Sequence, residues 1–147
     1  MSPDAARGTL GLVMAGRYGM TFAAKLIQEG KYAEAVEEAS RAVARDDEDP
    51  AALVDRAAAY AWLERYPDAV RDLEAALALD QTAGVLETDV VDDAYFSALL
   101  GAAKAEARTS MAAAESTLAR YRSVLPGGRH LEDAALWPER LRGASGG

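Results

Sequence analysis

The composition of this 147-residue chain favours one compact helical domain. Half of its residues are hydrophobic and 27% are charged, which excludes a disordered segment of low hydrophobicity. Alanine contributes 34 residues and phenylalanine only 2, so intrinsic propensity favours helix over sheet. We therefore expect an all-α fold.

Several classes of chemistry are excluded by residue types that the chain lacks. Without cysteine it cannot form a disulfide framework, a zinc ribbon, an iron–sulfur cluster or a thiol nucleophile. The single histidine, His130, cannot supply the imidazole pair of most metal sites, and we expect it to face solvent or cap a helix. No glycine-rich phosphate loop is recognisable. We predict no catalytic, cofactor-binding or metal-binding residues, and therefore no enzyme.

The charge of the chain, −8 in total, is unevenly distributed. Residues 29–93 carry 18 acidic and 6 basic side chains, whereas the flanking segments each have two more basic than acidic side chains. The acidic middle repels phosphate backbones, so we expect no nucleic-acid binding, and basic or apolar partners fit better. The alternative is that these charges only solvate helix faces.

Two features of the sequence concern location. No apolar run reaches the roughly 18 residues that span a bilayer, and residues 1–4 lack the basic start of a signal peptide. We expect a cytoplasmic protein with no membrane insertion. At the start of the chain, we interpret residues 1–15 as an N-terminal segment or cap.

A 34-residue period organises the middle of the chain. Residues 31–37 read KYAEAVE and residues 65–71 read RYPDAVR. In the second copy an aromatic residue, Tyr66, precedes small residues at Ala69 and Ala76. This pattern resembles the tetratricopeptide repeat (TPR), a helix–turn–helix unit of about 34 residues. The resemblance implies a short α-solenoid of antiparallel helix hairpins.

The resemblance places a first repeat at residues 16–49 and a better-matching second repeat at residues 50–83. Apolar residues in both units recur three and four positions apart, which predicts amphipathic helices. We interpret the acidic run at residues 46–49 and the following Pro50 as a linker and helix start. Calcium binding is the disfavoured alternative, because the glycine and the distal glutamate of an EF-hand loop are missing.

The third unit, residues 84–126, follows the repeat less closely. The sequence predicts a helix from about Thr88 to Ala107, and a second helix that Thr109 or Ser110 can cap. Aligning that second helix on the repeat implies about eleven inserted residues, whereas keeping the 34-residue period does not. The sequence leaves both registers open. We interpret the unit as a degenerate third repeat with a longer linker or an elongated first helix, with an unrelated hairpin as the alternative, so that the TPR-like domain spans residues 16–126.

The C-terminal residues are predicted to cover the end of the stack, because a helical repeat array exposes an apolar face there. We expect a short capping helix within residues 127–142, interrupted at Pro138. We interpret residues 143–147 as a disordered tail.

The resemblance also implies a function. TPR domains present a concave groove lined by the first helix of each repeat, and most bind peptides or protein segments there, as adaptors or scaffolds. The implied lining is Arg17, Met20, Thr21, Ala24 and Gln28 from the first repeat, Val54, Asp55, Ala58, Ala61 and Trp62 from the second and, if the 34-residue register holds, Asp89, Asp92, Tyr95 and Phe96 from the third.

Among these residues, Trp62 is the one that we most expect to contact a ligand, since an accessible indole is a common interface anchor. An equally supported interpretation packs Trp62 against the neighbouring repeat. The lysine and asparagine clamp with which chaperone-binding members hold a terminal carboxylate is absent, because the chain has no asparagine. Instead, Asp55, Asp89 and Asp92 predict an acidic groove that prefers a ligand with Arg or Lys side chains.

A structural role is the competing interpretation. A short solenoid with alanine-rich ends can stack on copies of itself, which makes the protein a self-assembling scaffold and homo-oligomer.

Overall fold

The computed structural model describes residues 21–146, and this part of the chain forms seven α-helices in succession. The predicted N-terminal segment at residues 1–15 and the start of the first repeat lie outside the described residues. The helices are α1 (Phe22–Gln28), α2 (Tyr32–Arg45), α3 (Pro50–Trp62), α4 (Tyr66–Ala83), α5 (Thr88–Glu106), α6 (Met111–Val124) and α7 (Leu131–Gly146). The all-α prediction is confirmed.

The helices form antiparallel hairpins that stack along the chain. Each helix packs against the next one, and α1 also contacts α3. The pairs α1–α2, α3–α4 and α5–α6 are therefore successive hairpins, and α7 packs on α6. The contact between α1 and α3 places the first helices of the first two hairpins side by side, as the repeat pattern predicts.

Polar side chains fix where the helices begin. The Asp49 carboxylate accepts the N–H of Ala51 (2.9 Å) at the start of α3, as the predicted linker and cap requires. The Ser110 hydroxyl accepts the N–H of Ala113 (3.1 Å) at the start of α6. At the end of α4, Gly84 adopts φ = 61°, a left-handed conformation that suits glycine.

The interior combines alanines with a few large side chains. Ala57, Ala69 and Ala76, the small residues of the second hairpin, are buried, so the two helices approach closely. Tyr95 and Tyr121 are the largest fully buried side chains among the described residues. One core runs through all the hairpins, with a smaller cluster between α5, α6 and α7.

The third hairpin departs from the 34-residue period. Helix α5 has 19 residues where α3 has 13. Helix α6 begins at Met111, eleven residues later than the period would place it after Tyr66. The register with inserted residues is therefore the observed one. The additional residues lengthen α4 and α5 and form the connection between them.

The C-terminal helix is longer than predicted. It runs through Pro138 to Gly146, so the predicted interruption and the predicted tail from residue 143 are both wrong within the described residues. Proline removes only one backbone hydrogen-bond donor, that toward the carbonyl of Ala134. Buried Ala134 and Leu141 pack on either side of this position and hold the helix together. None of the described helices is both long and apolar enough to cross a membrane.

Candidate functional site

A cleft of about 560 Å³ lies between α5 and α7. The lining of this α5–α7 cleft comes from α5, from α7 and the loop that precedes it, and from Tyr66 at the start of α4. Its lining residues are Tyr66, Asp93, Phe96, Ser97, Leu100, Gly101, Lys104, Arg129, His130, Asp133, Trp137 and Arg140.

Aromatic rings form the floor of the cleft. Phe96 stacks on His130 with ring centroids 4.6 Å apart and planes within 5°, and its edge meets Tyr121 at 5.6 Å. At the other end of the floor, a Cβ atom at Gly101 would lie only 2.7 Å from the ring of Tyr66. Glycine at this position therefore lets the Tyr66 ring lie directly on α5.

Two cations flank the indole of Trp137. The Lys104 ammonium lies 4.9 Å from the ring centroid and the Arg140 guanidinium lies 5.2 Å from it. Both cationic side chains are exposed, while the indole is half-buried. The wall of the cleft thus presents apolar surface next to positive charge.

Helix α7 is held onto α5 by a network around Asp92. The Asp92 carboxylate accepts hydrogen bonds from the Tyr121 hydroxyl and from the Arg129 N–H (2.9 Å). The Tyr121 hydroxyl in turn accepts the N–H of His130 (2.8 Å). Burial raises the pKa of Tyr121, and its hydrogen bond to the Asp92 carboxylate raises it further, so the phenol stays protonated. A Cβ atom at Gly128 would clash with this hydroxyl, so glycine permits the approach.

A second carboxylate fixes the same loop at the edge of the cleft. Asp93 lies 2.6 Å from His130 Nε2 and 3.4 Å from the Arg129 guanidinium. The histidine that we expected to face solvent or cap a helix is half-buried, and its backbone carbonyl accepts the N–H of Ala134 at the start of α7. Its side chain forms part of the cleft floor.

The groove residues predicted on the first repeat do not gather at this cleft. Arg17 and Met20 lie outside the described residues. Thr21 caps α1 by accepting the N–H of Ala24 (3.0 Å), and its hydroxyl donates to the Asp55 carboxylate (2.9 Å). Ala24 is fully buried, whereas Gln28 is exposed.

The predictions on α3 need correction. Val54, Asp55 and Ala58 are buried, because this helix packs against α1, α2 and α4, and they do not line an open groove. Burial raises the pKa of Asp55 to about 6, although the Thr21 hydrogen bond opposes the shift. Ala61 and Trp62 are half-buried.

The environment of Trp62 favours the packing interpretation over the anchor interpretation. Its indole stacks on the ring of Tyr32, with centroids 5.0 Å apart and planes within 1°. Because Tyr32 opens α2, this contact joins the first hairpin to the second.

The four groove residues predicted on α5 also differ in their exposure. Asp89 is exposed in the first turn, and Asp92 is buried in the network described above. Tyr95 is fully buried, and its hydroxyl donates to the Glu74 carboxylate (2.6 Å). Phe96 is the member of the predicted set that lines the cleft. The 34-residue register, on which all four depended, does not hold.

The predicted acidic groove also needs correction, because Asp55 and Asp92 are buried and hydrogen-bonded. The cleft instead has a mixed rim in which cations outnumber carboxylates, with Lys104, Arg129 and Arg140 against Asp93 and Asp133.

Most of the cleft was not predicted from the sequence, because five of its twelve lining residues come from α7 and from the loop before it. Trp137 lies within the segment predicted to cap the stack, and Lys104 and Arg140 lie in the C-terminal segment with an excess of basic residues. The order of the helices was the signal that could have predicted the cleft. A helix that follows the second helix of a hairpin is expected beside the first helix of that hairpin.

Comparisons with known proteins agree with this architecture. No family model matches the chain, and no curated protein matches it. A similar solved structure is the NMR structure of the second TPR domain of the human RPAP3 protein in complex with the HSP70 peptide SGPTIEEVD. The TM-score is 0.52 at 19% sequence identity, and the match covers 92% of this chain and 98% of that one.

The chain has a TPR-like fold. At 19% identity the likeness concerns the fold alone, and the peptide in that complex is a property of that domain. The resemblance carried by residues 31–37 and 65–71 is thereby confirmed at the level of the fold.

Proposed function

We propose that this TPR-like protein is a non-catalytic interaction module that binds a peptide segment of a partner protein in the α5–α7 cleft. The observation that carries the proposal is the cleft itself, which combines an aromatic floor with a charged rim. Its volume of about 560 Å³ falls within the range of roughly 300–1,000 Å³ found for ligand pockets.

The position of the cleft supports the same function. It is lined by α5, the first helix of the third hairpin, and TPR domains in general line their binding surface with first helices. The similar RPAP3 domain was solved with a peptide, which supports a peptide ligand here as well. Of the predicted groove residues, Phe96 belongs to the proposed site.

The remaining parts of the chain have supporting roles in this proposal. The third hairpin is a degenerate third repeat, and α7 is both the capping helix and one wall of the cleft. The protein acts as an adaptor in the cytoplasm, with the first two hairpins as a rigid platform.

Two variants with the same substitution test the location of the site. Ser97 is half-buried in the cleft, whereas Ser116 is exposed on α6 and does not line the cleft. Peptides selected from a phage-displayed random library against the wild-type protein provide the ligands. Because a Trp side chain at position 97 fills the cleft, we expect Ser97→Trp to weaken the selected peptides about tenfold or more.

The matched variant Ser116→Trp should leave their affinity within about twofold of the wild-type value. Circular dichroism melts of both variants show whether they are folded. Selected peptides that bind folded Ser97→Trp as tightly as the wild type would contradict the proposed site.

A further inference from the structure

Three exposed cations line the clefts beside Trp137, and none of them has a carboxylate partner among residues 21–146. They are Lys104 near the end of α5, Arg108 in the turn that follows α5, and Arg140 on α7. Lys104 and Arg140 lie over the indole, and Arg108 lines the same wall one turn beyond Lys104. We call these three residues the Trp137 cation cluster.

Most other arginines of the described chain are paired. Arg41 lies 2.9 Å from Glu38, Arg56 lies 2.8 Å from Asp72, and Arg71 lies 2.6 Å from Asp68. Arg120 and Arg129 have carboxylate partners as well. In a chain of net charge −8, an unpaired group of three cations is therefore a local exception. Such a group raises the local concentration of anions.

The cluster connects two clefts. The α5–α7 cleft lies on one side of Trp137, and a shallower cleft of about 430 Å³, lined by Ala107 and Leu141 among others, lies on the other. Lys104, Trp137 and Arg140 line both of them. The three cations thus extend from the α5–α7 cleft into the second cleft, with the Asp93 and Asp133 carboxylates also on the rim of the first.

We infer that the segment bound in the α5–α7 cleft is acidic, with an apolar side chain on the aromatic floor and at least two Asp or Glu side chains on the Trp137 cation cluster. This inference rests on the proposed function and specifies the chemistry of its ligand. Carboxylates match guanidinium and ammonium groups in charge and hydrogen bonding. Because one terminal carboxylate carries a single charge against three cations, the acidic groups include side chains of the bound segment.

The probe is a fluorescein-labelled nine-residue peptide, acetylated and amidated, with a central Phe flanked on each side by two Glu residues. A second peptide has Gln in place of every Glu, and a third has Gln throughout and a free C-terminal carboxylate. Fluorescence anisotropy measures the three affinities. We expect the Glu peptide to bind at least about tenfold more tightly than either Gln peptide.

Charge-reversal variants test where the peptide binds. Lys104→Glu combined with Arg140→Glu should weaken the Glu peptide about tenfold or more, because it replaces attraction by repulsion. Lys25 on α1 and Arg122 on α6 are exposed and lie outside the cluster, so the controls are Arg122→Glu alone and Lys25→Glu combined with Arg122→Glu, which equals the charge change of the double variant. The controls should stay within about threefold of the wild type at about 150 mM salt, where distant charges are screened.

Several outcomes overturn the inference. These are equal binding of the Glu and Gln peptides, equal loss in the control variants, and preference for the free C-terminal carboxylate. Tighter, cluster-dependent binding of a fluorescein-labelled oligothymidylate would assign the surface to nucleic acid instead. If Ser97→Trp abolishes binding of library peptides that are not acidic, the proposed function stands and only the inference fails. If Ser97→Trp affects no peptide, the proposed function itself fails.

Discussion

Asp55 is a buried carboxyl group that makes folding sensitive to pH. Burial raises its pKa from 3.8 to about 6, so the protonated form is favoured in the folded state. The folded state then binds more protons than the unfolded state between about pH 4 and pH 6. The contribution of Asp55 to stability is therefore greatest below pH 4, and it is lost as the pH rises through 6.

Asparagine at position 55 removes the cost of burying the charge. We expect Asp55→Asn to increase the free energy of unfolding at pH 8 by about 1–3 kcal/mol, with little change near pH 4. Urea titrations at the two pH values measure this difference, and Asp47→Asn in the exposed loop is the control. A variant that is less stable than the wild type at pH 8 would contradict the assigned direction of the pKa shift.

Gly101 is the second position where a single residue decides local geometry. Since a Cβ atom there would lie 2.7 Å from the Tyr66 ring, we expect Gly101→Ala to cost about 1–3 kcal/mol of stability. Gly143 has open space around the corresponding position on α7, so Gly143→Ala should instead stabilise the protein by about 0.5–1 kcal/mol. Thermal melts compare the two variants, and a neutral Gly101→Ala would mean that the ring moves aside freely.

At the scale of elements, the Tyr121 hydroxyl links α5, α6 and the loop that begins α7. We expect Tyr121→Phe to destabilise the protein by about 1–3 kcal/mol, because it removes a hydrogen bond from the buried Asp92 carboxylate and another from the His130 N–H. Hydrogen exchange should show the loss of protection concentrated in α7.

Tyr60→Phe is the matched control for this prediction. The Tyr60 ring is half-buried and lies beneath the Arg65 guanidinium, a contact that phenylalanine keeps. It should change stability by less than about 0.5 kcal/mol. If both variants behave alike, the network does not hold α7 in place.

The elements were predictable where spacing carries the information. The 34-residue match between residues 31–37 and 65–71 predicted two hairpins, and Pro50 and Ser110 marked helix starts correctly. The cleft was less predictable, because its composition depends on which helices become neighbours. Phe96 was named in advance, whereas Trp137 and His130 belong to α7 and its preceding loop, whose placement follows from packing rather than periodicity.

The sequence also did not predict which of these side chains are buried. Val54 and Ala58 occupy positions that face the groove in the family pattern, yet contacts with neighbouring helices bury them. Pro138 was interpreted as an interruption from its backbone chemistry alone, but buried Ala134 and Leu141 keep the helix continuous. Tertiary packing decided both cases.

For the whole molecule, the exposed apolar side chains indicate whether the protein can self-associate. Among the described residues, the large apolar side chains that are exposed are Phe22 on α1, Leu63 in the turn after α3 and Leu136 on α7, so they do not share one helix. Stable self-association needs a larger continuous apolar patch. We expect light scattering to give a mass near 15.5 kDa from about 1 to about 100 μM protein. A mass that rises with concentration would favour the self-assembling scaffold.

An amide NMR titration of the isotope-labelled protein tests whether ligands bind between α5 and α7. A peptide selected from the library is added stepwise, and chemical-shift changes are mapped onto the helices. We predict that the largest changes fall within residues 93–104 and 129–140, with α1 and α3 little affected. Changes concentrated on α1 and α3, with the α5–α7 cleft unperturbed, would contradict ligand binding in that cleft.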